Sequence, residues 1–414
     1  MKYNTFTLAN GLRVIQLPSG SPVVYCGYQM DAGSRDELPG DEGLAHFCEH
    51  TTFKGTHRRR AYQILNCLES VGGELNAYTN KEDTVYYAAI LRHDVPRAVD
   101  LLTDMVFHST YPQAEIDKEV EVICDEIESY NDSPAELIFD EFENQVFQGH
   151  PLGHNILGSS DRVRQFTTAD ALRFTGRLYR PETAVFFMYG GDDRPTWLRT
   201  LLEKAFAREP LRCVARPEAP SLVMTPQDDP LAGSCTLVDR GTHQAHVVVG
   251  CRAYGRGDHR RHALYLLNNI LGGPGMNARL NVSLRERNGL VYTVESSMVC
   301  YDDTGLWCTY LGCDPKDVRR CLRLLRRELD RLADRLLTPR QLHAAKKQLV
   351  GQIGVASDQR ESFALSFGKN FLHGHVETRP EDIQAHVEAV SAEEVRQVAG
   401  ELFAPGHLQR LVYR

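Results

Sequence analysis

The sequence predicts an α+β protein built from two similar domains, each a largely antiparallel sheet packed with helices. Three observations point there. Short strand patterns come in consecutive pairs joined by brief turns, which favours antiparallel pairing. Long amphipathic helical patterns follow them. The order strand-strand-helix-helix-strand-strand-helix-helix is met twice along the chain, a duplication at domain size rather than a solenoid period.

The elements follow in order. After a strand-like N-terminus, strands are predicted over 12–17, behind Asn10-Gly11, and over 23–30. Helices follow over 43–53 and 61–71, the second stopped by Gly72-Gly73. Alternating strands are predicted over 74–79 and 84–91, then helices over 94–108, 113–130 and 133–147. A Gly/Pro loop at 149–158 leads to a further helix, a strand over 184–189 and a helix over 195–207. Pro210, Pro217, Pro220, Pro226 and Pro230 then fall close together, a density that no helix or central strand survives. Residues 209–233 therefore read as a linker between a domain over 1–208 and a second over 234–414. The second half has strands over 235–239 and 244–252, helices over 259–271 and 277–287, and strands over 291–299 and 306–312. Long helices over 315–336 and 339–355, a helical tail and a strand over 408–413 complete it.

Composition narrows the function classes. A net charge of −8 disfavours nucleic acid as a partner, and short basic runs such as Arg58-Arg59-Arg60 read as solvated helix faces. Every stretch of about 18 residues contains charge, so no membrane span is expected. The eleven cysteines include no Cys-x-x-Cys pair. They read as free thiols of a reducing compartment, and the N-terminus carries no apolar signal core, so a cytoplasmic location is expected.

The chemistry concentrates in Gly43-Leu44-Ala45-His46-Phe47-Cys48-Glu49-His50. On a helix His46, Glu49 and His50, at i, i+3 and i+4, share one face. Two imidazoles so placed can bind one Zn²⁺, and the carboxylate beside them can act as general base in metal-assisted hydrolysis. His-x-x-Glu-His is the inverzincin order. A third ligand is needed. On the helix over 113–130, Ile116, Val120, Ile123 and Ile127 define the buried face, and Glu119 and Glu126 lie at its rim. The helical wheel does not choose between them. Cys48 is expected to pack inward. His150 and His154 flank a Pro turn without a paired carboxylate and read as structural, and Gly272-Gly273-Pro274-Gly275 reads as a turn rather than a phosphate loop.

His46-Phe-Cys-Glu49-His50-Thr-Thr-Phe53-Lys54-Gly55-Thr56 resembles the insulinase–pitrilysin zinc peptidases, which include mitochondrial processing peptidase. The resemblance runs on through Gly72-Gly73, Asn76-Ala77-Tyr78-Thr79 and the last residue of Glu121-Val-Ile-Cys-Asp-Glu126, and spans essentially the whole chain. It implies Glu126 as the third ligand, by that family's spacing from His50, and Glu119 as the carboxylate that orients the site. It implies an edge strand at Asn76, Ala77 and Tyr78 that pairs with a peptide substrate. Arg285 and Tyr292, in Leu284-Arg285-Glu286-Arg287-Asn288-Gly289-Leu290-Val291-Tyr292, resemble the family's Arg…Tyr element. Arg285 would anchor a substrate carbonyl and Tyr292 would donate to the developing oxyanion. The second half lacks ligands at the corresponding places, with Ala345 and Gln352 within a residue of the positions matching Glu119 and Glu126, so one zinc per chain is expected. The expected protein is a zinc endopeptidase acting on peptides or small unfolded polypeptides as a homodimer, or as a heterodimer with a related chain. The alternative is a non-catalytic or partner-dependent assembly subunit of the same fold.

Overall fold

A computed structural model describes residues 2–208, 229–374 and 379–414. Most of the predicted linker, residues 209–228, lies outside them. In the first half the strands are β1 (Asn4–Thr7), β2 (Arg13–Leu17), β3 (Val23–Met30), β4 (Glu74–Thr79), β5 (Thr84–Leu91) and β6 (Ala184–Tyr189). The helices are α1 (Leu44–Thr52), α2 (Ala61–Glu69), α3 (Val95–His108), α4 (Gln113–Asn131), α5 (Pro134–Val146), α6 (Ser160–Val163), α7 (Thr168–Leu178) and α8 (Pro195–Phe206). The second half supplies β7 (Cys235–Val238), β8 (Ala245–Ala253), β9 (Val291–Cys300), β10 (Gly305–Cys313) and β11 (Gln409–Tyr413). Its helices are α9 (Arg261–Gly272), α10 (Val318–Asp334), α11 (Pro339–Ala356), α12 (Arg360–Gly374), α13 (Pro380–Ala389) and α14 (Ala392–Leu402). The helix predicted over 277–287 is instead a π-helical turn at Asn281–Glu286.

The duplication is written in the strand order. The first sheet runs β1-β2-β6-β3-β5-β4 and the second β7-β11-β8-β10-β9. Apart from β1 the pairings correspond one to one. β2 is parallel to β6 and β7 to β11, and the other pairs are antiparallel. The strand arriving after the last helices has lost the short-turn constraint, so it can lie parallel to the first.

Two units result. The first comprises Met1–Ser129, His154–Ala219 and Ser357–Arg379, the second Tyr130–Gly153, Pro220–Ala356 and Pro380–Arg414. Each sheet is covered on one face by helices of its own half and on the other by a helix from the other half of the sequence. In the first unit α12 presents Phe363, Phe367 and Phe371, one helical turn apart, to Ile15, Val85, Val185 and Phe187. Gly368 allows the close approach, since a Cβ there would meet the Phe187 ring at 3.0 Å. In the second unit Ile138 and Phe142 of α5 pack on Val248, Leu306 and Leu411. Strands covered on both faces lose the polar alternation of a half-exposed sheet, as β6 (AVFFMY) does. At the sheet's end, β4 pairs with β5 alone and stays half-buried to exposed along its length. Among the described residues no helix is long and apolar enough to cross a membrane.

Candidate metal centre

α1 is buried almost all round: of its nine residues only His50 is not buried. Such a helix needs its free N-terminal amides satisfied internally. Glu37 does this, accepting from Gly43 N at 3.0 Å and Ala45 N at 2.7 Å. His154 Nε2 meets the same carboxylate at 2.9 Å, which is the structural work expected of it. Gly43 takes φ = +96°, and a Cβ there would meet the Leu157 carbonyl oxygen at 2.8 Å, so glycine alone lets the chain enter the helix here. Cys48 points into the core, fully buried, where burial pushes its thiol pKa up.

On that helix the His46 and His50 rings sit 4.6 Å apart between centroids. α4 brings Glu126 against both: its Oε2 lies 3.7 Å from His46 Nε2 and 3.2 Å from His50 Nε2. All three candidate ligand atoms fall within 4.8 Å of one another. Bonds of about 2.0–2.1 Å in a tetrahedral shell place ligand atoms roughly 3.3 Å apart. The 3.2 Å and 3.7 Å separations bracket that value, and two imidazole nitrogens with one carboxylate oxygen form a donor set suited to Zn²⁺.

Glu119 stands on the other side of His50. Its Oε1 lies 3.1 Å from His50 Nδ1, and Lys54 Nζ reaches its Oε2 at 2.5 Å. With Nδ1–H directed to Glu119, a neutral His50 presents the Nε2 lone pair to the site. Burial works to raise the Glu119 pKa, but hydrogen bonds from His50 and Lys54 hold it below the usual carboxylate range. Exposure separates the two glutamates: the Glu119 side chain is 13% exposed and that of Glu126 is 47%. Glu119 is thus enclosed in a support network, whereas Glu126 faces outward where an ion can enter.

The histidines differ. Burial, then the neighbouring His50, lower the His46 pKa to about 4, with Glu126 opposing, so its ring is neutral and its Nε2 free to coordinate. His46 Nδ1 is buried with no hydrogen-bond partner, so packing rather than a carboxylate orients this ring. Burial also disfavours charge on His50, but its bonds to Glu119 and Glu126 outweigh it and raise the pKa to about 9. Metal binding there must displace a proton.

Glu49 is buried between them in sequence, and its Oε2 accepts from Thr79 Oγ1 at 3.0 Å. Burial raises its pKa, against the lowering effects of His50 and the Thr79 hydroxyl. Thr79 ends β4, so the strand carrying Asn76, Ala77 and Tyr78 is tied to the helix carrying Glu49. Neither Thr79 nor Lys54 was singled out from sequence. Both lie inside the motifs quoted there, but hydroxyl and ammonium contacts across elements leave no periodic signal.

Arg285 and Tyr292 lie in the second unit. The Arg285 guanidinium carbon is 6.0 Å from the Tyr292 ring centroid. Tyr292 is 79% exposed, which excludes a core-packing role, and Arg285 is exposed with no ion pair among the described residues. His150 is buried in the same unit, its Nδ1 bonded to Leu152 N at 3.2 Å and its Nε2 3.6 Å from Asp303, as a structural histidine would be.

Comparison with known proteins agrees with these features. Residues 13–160 match the family model described as insulinase (peptidase family M16), and residues 165–349 that of the peptidase M16 inactive domain. An uncharacterized zinc protease of Streptomyces coelicolor is 35% identical over 399 residues, 95% of this chain and 85% of its own. The beta subunit of the mitochondrial-processing peptidase of Pongo abelii is 30% identical over 398 residues, 94% of this chain and 80% of its own. A solved protease from Helicobacter pylori shares the fold, with a TM-score of 0.90 over 100% of this chain and 99% of that one at 21% identity. The chain belongs to the insulinase family of peptidases, family M16.

Proposed function

We propose that the protein is a zinc-dependent endopeptidase, with His46, His50 and Glu126 holding Zn²⁺ and Glu49 as general base. The observation that supports this most directly is the convergence of two imidazole Nε2 atoms on one carboxylate oxygen, beside a buried carboxylate on the same helix. Bound there, Zn²⁺ would supply Lewis acidity toward a peptide carbonyl and make a water easier to deprotonate. Glu49, its pKa raised by burial and its carboxylate aimed by Thr79, takes the proton of the attacking water and delivers it to the leaving amine. Glu119 and Lys54 hold the His50 ring and its tautomer.

The peptide pairs with β4, whose outer edge has no strand partner among the described residues, through main-chain hydrogen bonds that select for extended shape over sequence. Arg285 anchors a substrate carbonyl and Tyr292 donates to the oxyanion, roles supported by their exposure and mutual proximity. The family resemblance supports two copies of the chain assembling so that the zinc unit of one meets the Arg285–Tyr292 unit of the other. The ten described cysteines are all free, which supports a reducing, cytoplasmic setting.

The test compares Glu49→Gln with the unaltered protein in peptide cleavage and metal content. The variant should retain zinc while cleavage falls at least about 10²-fold. Cleavage at the unaltered rate would remove Glu49 from the mechanism. A second reading, a partner-dependent subunit, is favoured by the match of residues 165–349 to the family's inactive-domain description. It predicts no cleavage by the metal-loaded protein alone.

A further inference from the structure

The second unit contains a cavity of about 490 Å³ lined by Arg279, Arg287, Arg331 and Arg335, with Glu328 as its sole carboxylate. The volume is that of a small-ligand site. Glu328 is buried and already engaged: Arg331 Nη1 donates to its Oε1 at 2.7 Å. The side chains of Arg279, Arg287 and Arg335 have no hydrogen-bond or ion-pair partner among the described residues. Four guanidiniums against one carboxylate leave an excess of three positive charges.

Surface arginines commonly extend into water, but Arg279 is half-buried. Burial pulls its pKa down, more than the attraction of Glu328 pushes it up, and Arg331 adds a smaller repulsion. A guanidinium partly withdrawn from water beside three further cations is favoured by an anion that joins them. A further polar group waits on the same wall: the Ser283 hydroxyl, buried and without a hydrogen-bond partner. Guanidinium forks match phosphate oxygens in pairs, and a hydroxyl can donate to a further one. The arginines come from two stretches, Arg279 and Arg287 around the π-helical turn and Arg331 and Arg335 at the end of α10, so they converge by folding rather than by a basic run.

We propose that this cavity is a binding site for a phosphate-bearing small anion, distinct in residues and in chemistry from the metal centre. An excess of three charges fits a condensed phosphate better than a monoanion.

The experiment titrates the full chain with pyrophosphate by calorimetry, with inorganic phosphate and ATP as parallel arms and glutamate as a carboxylate control. Saturable one-to-one binding of pyrophosphate is expected, stronger than that of phosphate and absent for glutamate. ATP binding as tightly as pyrophosphate would assign the site to phosphate esters, and weaker ATP binding to the bare anion. Arg335→Gln and Arg287→Gln alter exposed side chains and should fold; each should weaken pyrophosphate binding at least about tenfold. Arg279→Gln should do the same, with its fold checked by thermal melting. Ser283→Ala should weaken binding less. No saturable binding, or binding unchanged in both Arg335→Gln and Arg287→Gln, would overturn the proposal. Glutamate binding as tightly as pyrophosphate would refute the phosphate assignment.

Discussion

Replacing Glu119 and Glu126 by Gln, one at a time, separates the carboxylate that supports a ligand from the one that would be a ligand. Glu119→Gln keeps the shape and can still accept from His50 Nδ1, 3.1 Å away, but loses the charge. A hydrogen bond to a charged group contributes about 1.5–3 kcal/mol and a neutral one about 0.5–1.5, so the His50 bond weakens by roughly 1 kcal/mol. Lys54, whose ammonium lies 2.5 Å from Glu119, then loses its counter-charge beside the site and adds repulsion of similar size toward a cation. Together these give about 2 kcal/mol, or roughly 30-fold in zinc affinity, inside the range of about 10–100-fold for groups that support a metal ligand. Glu126→Gln removes one of three protein ligands outright. Taking zinc binding as about 10–16 kcal/mol over its ligand set, the loss is roughly 3–4 kcal/mol, some 10²–10³-fold. Competitive titration with a zinc chelator, with circular dichroism to check the fold, measures both. Greater zinc loss from Glu119→Gln than from Glu126→Gln would refute the assignment.

Two further outcomes are expected. Asp83 is buried, which by itself raises its pKa, yet His373 and Lys369 Nζ, 2.5 Å away, lower it to about 2. Its unfolded value is about 3.9, so the folded state gains on the order of 2–3 kcal/mol above about pH 4, lost as pH falls through about 2. The melting temperature of Asp83→Asn should therefore lie below that of the unaltered protein at pH 6, with the gap closing toward pH 2; a constant gap would contradict the linkage. The dimer proposal is tested by co-expressing Glu49→Gln with the double variant Arg285→Ala, Tyr292→Ala. Half of randomly paired dimers are mixed and one of their two sites is free of lesions, so about a quarter of all sites should regain activity. Confirmed mixed dimers with no recovered activity would exclude sites shared between subunits.

Much of the fold was legible because its signals are local. Predicted strands over 74–79, 84–91 and 184–189 match β4, β5 and β6 to the residue, since alternation, short apolar runs and turn residues act over a few positions. The π-helical turn at Asn281–Glu286 was not legible. Its widened hydrogen bonding depends on surroundings rather than on helix propensity. Nor did the sequence reveal that α5 belongs with the second sheet and α12 with the first. An aromatic stripe such as Phe363, Phe367 and Phe371 states that a helix face is buried, but not against which sheet.

At the metal centre the sequence by itself determined that His46, Glu49 and His50 share a face, because 3.6 residues per turn is a property of any α-helix. It also placed Glu119 and Glu126 together on the rim of α4. Only the tertiary structure decided how each glutamate meets the histidines: Glu126 at the two Nε2 atoms, Glu119 at His50 Nδ1 on the far side of the ring. That choice depends on how two helices more than sixty residues apart in sequence cross, a matter of side-chain packing that no local period encodes. The same packing set Thr79 on Glu49 and Lys54 on Glu119, and so the charge and orientation of the groups that periodicity had placed.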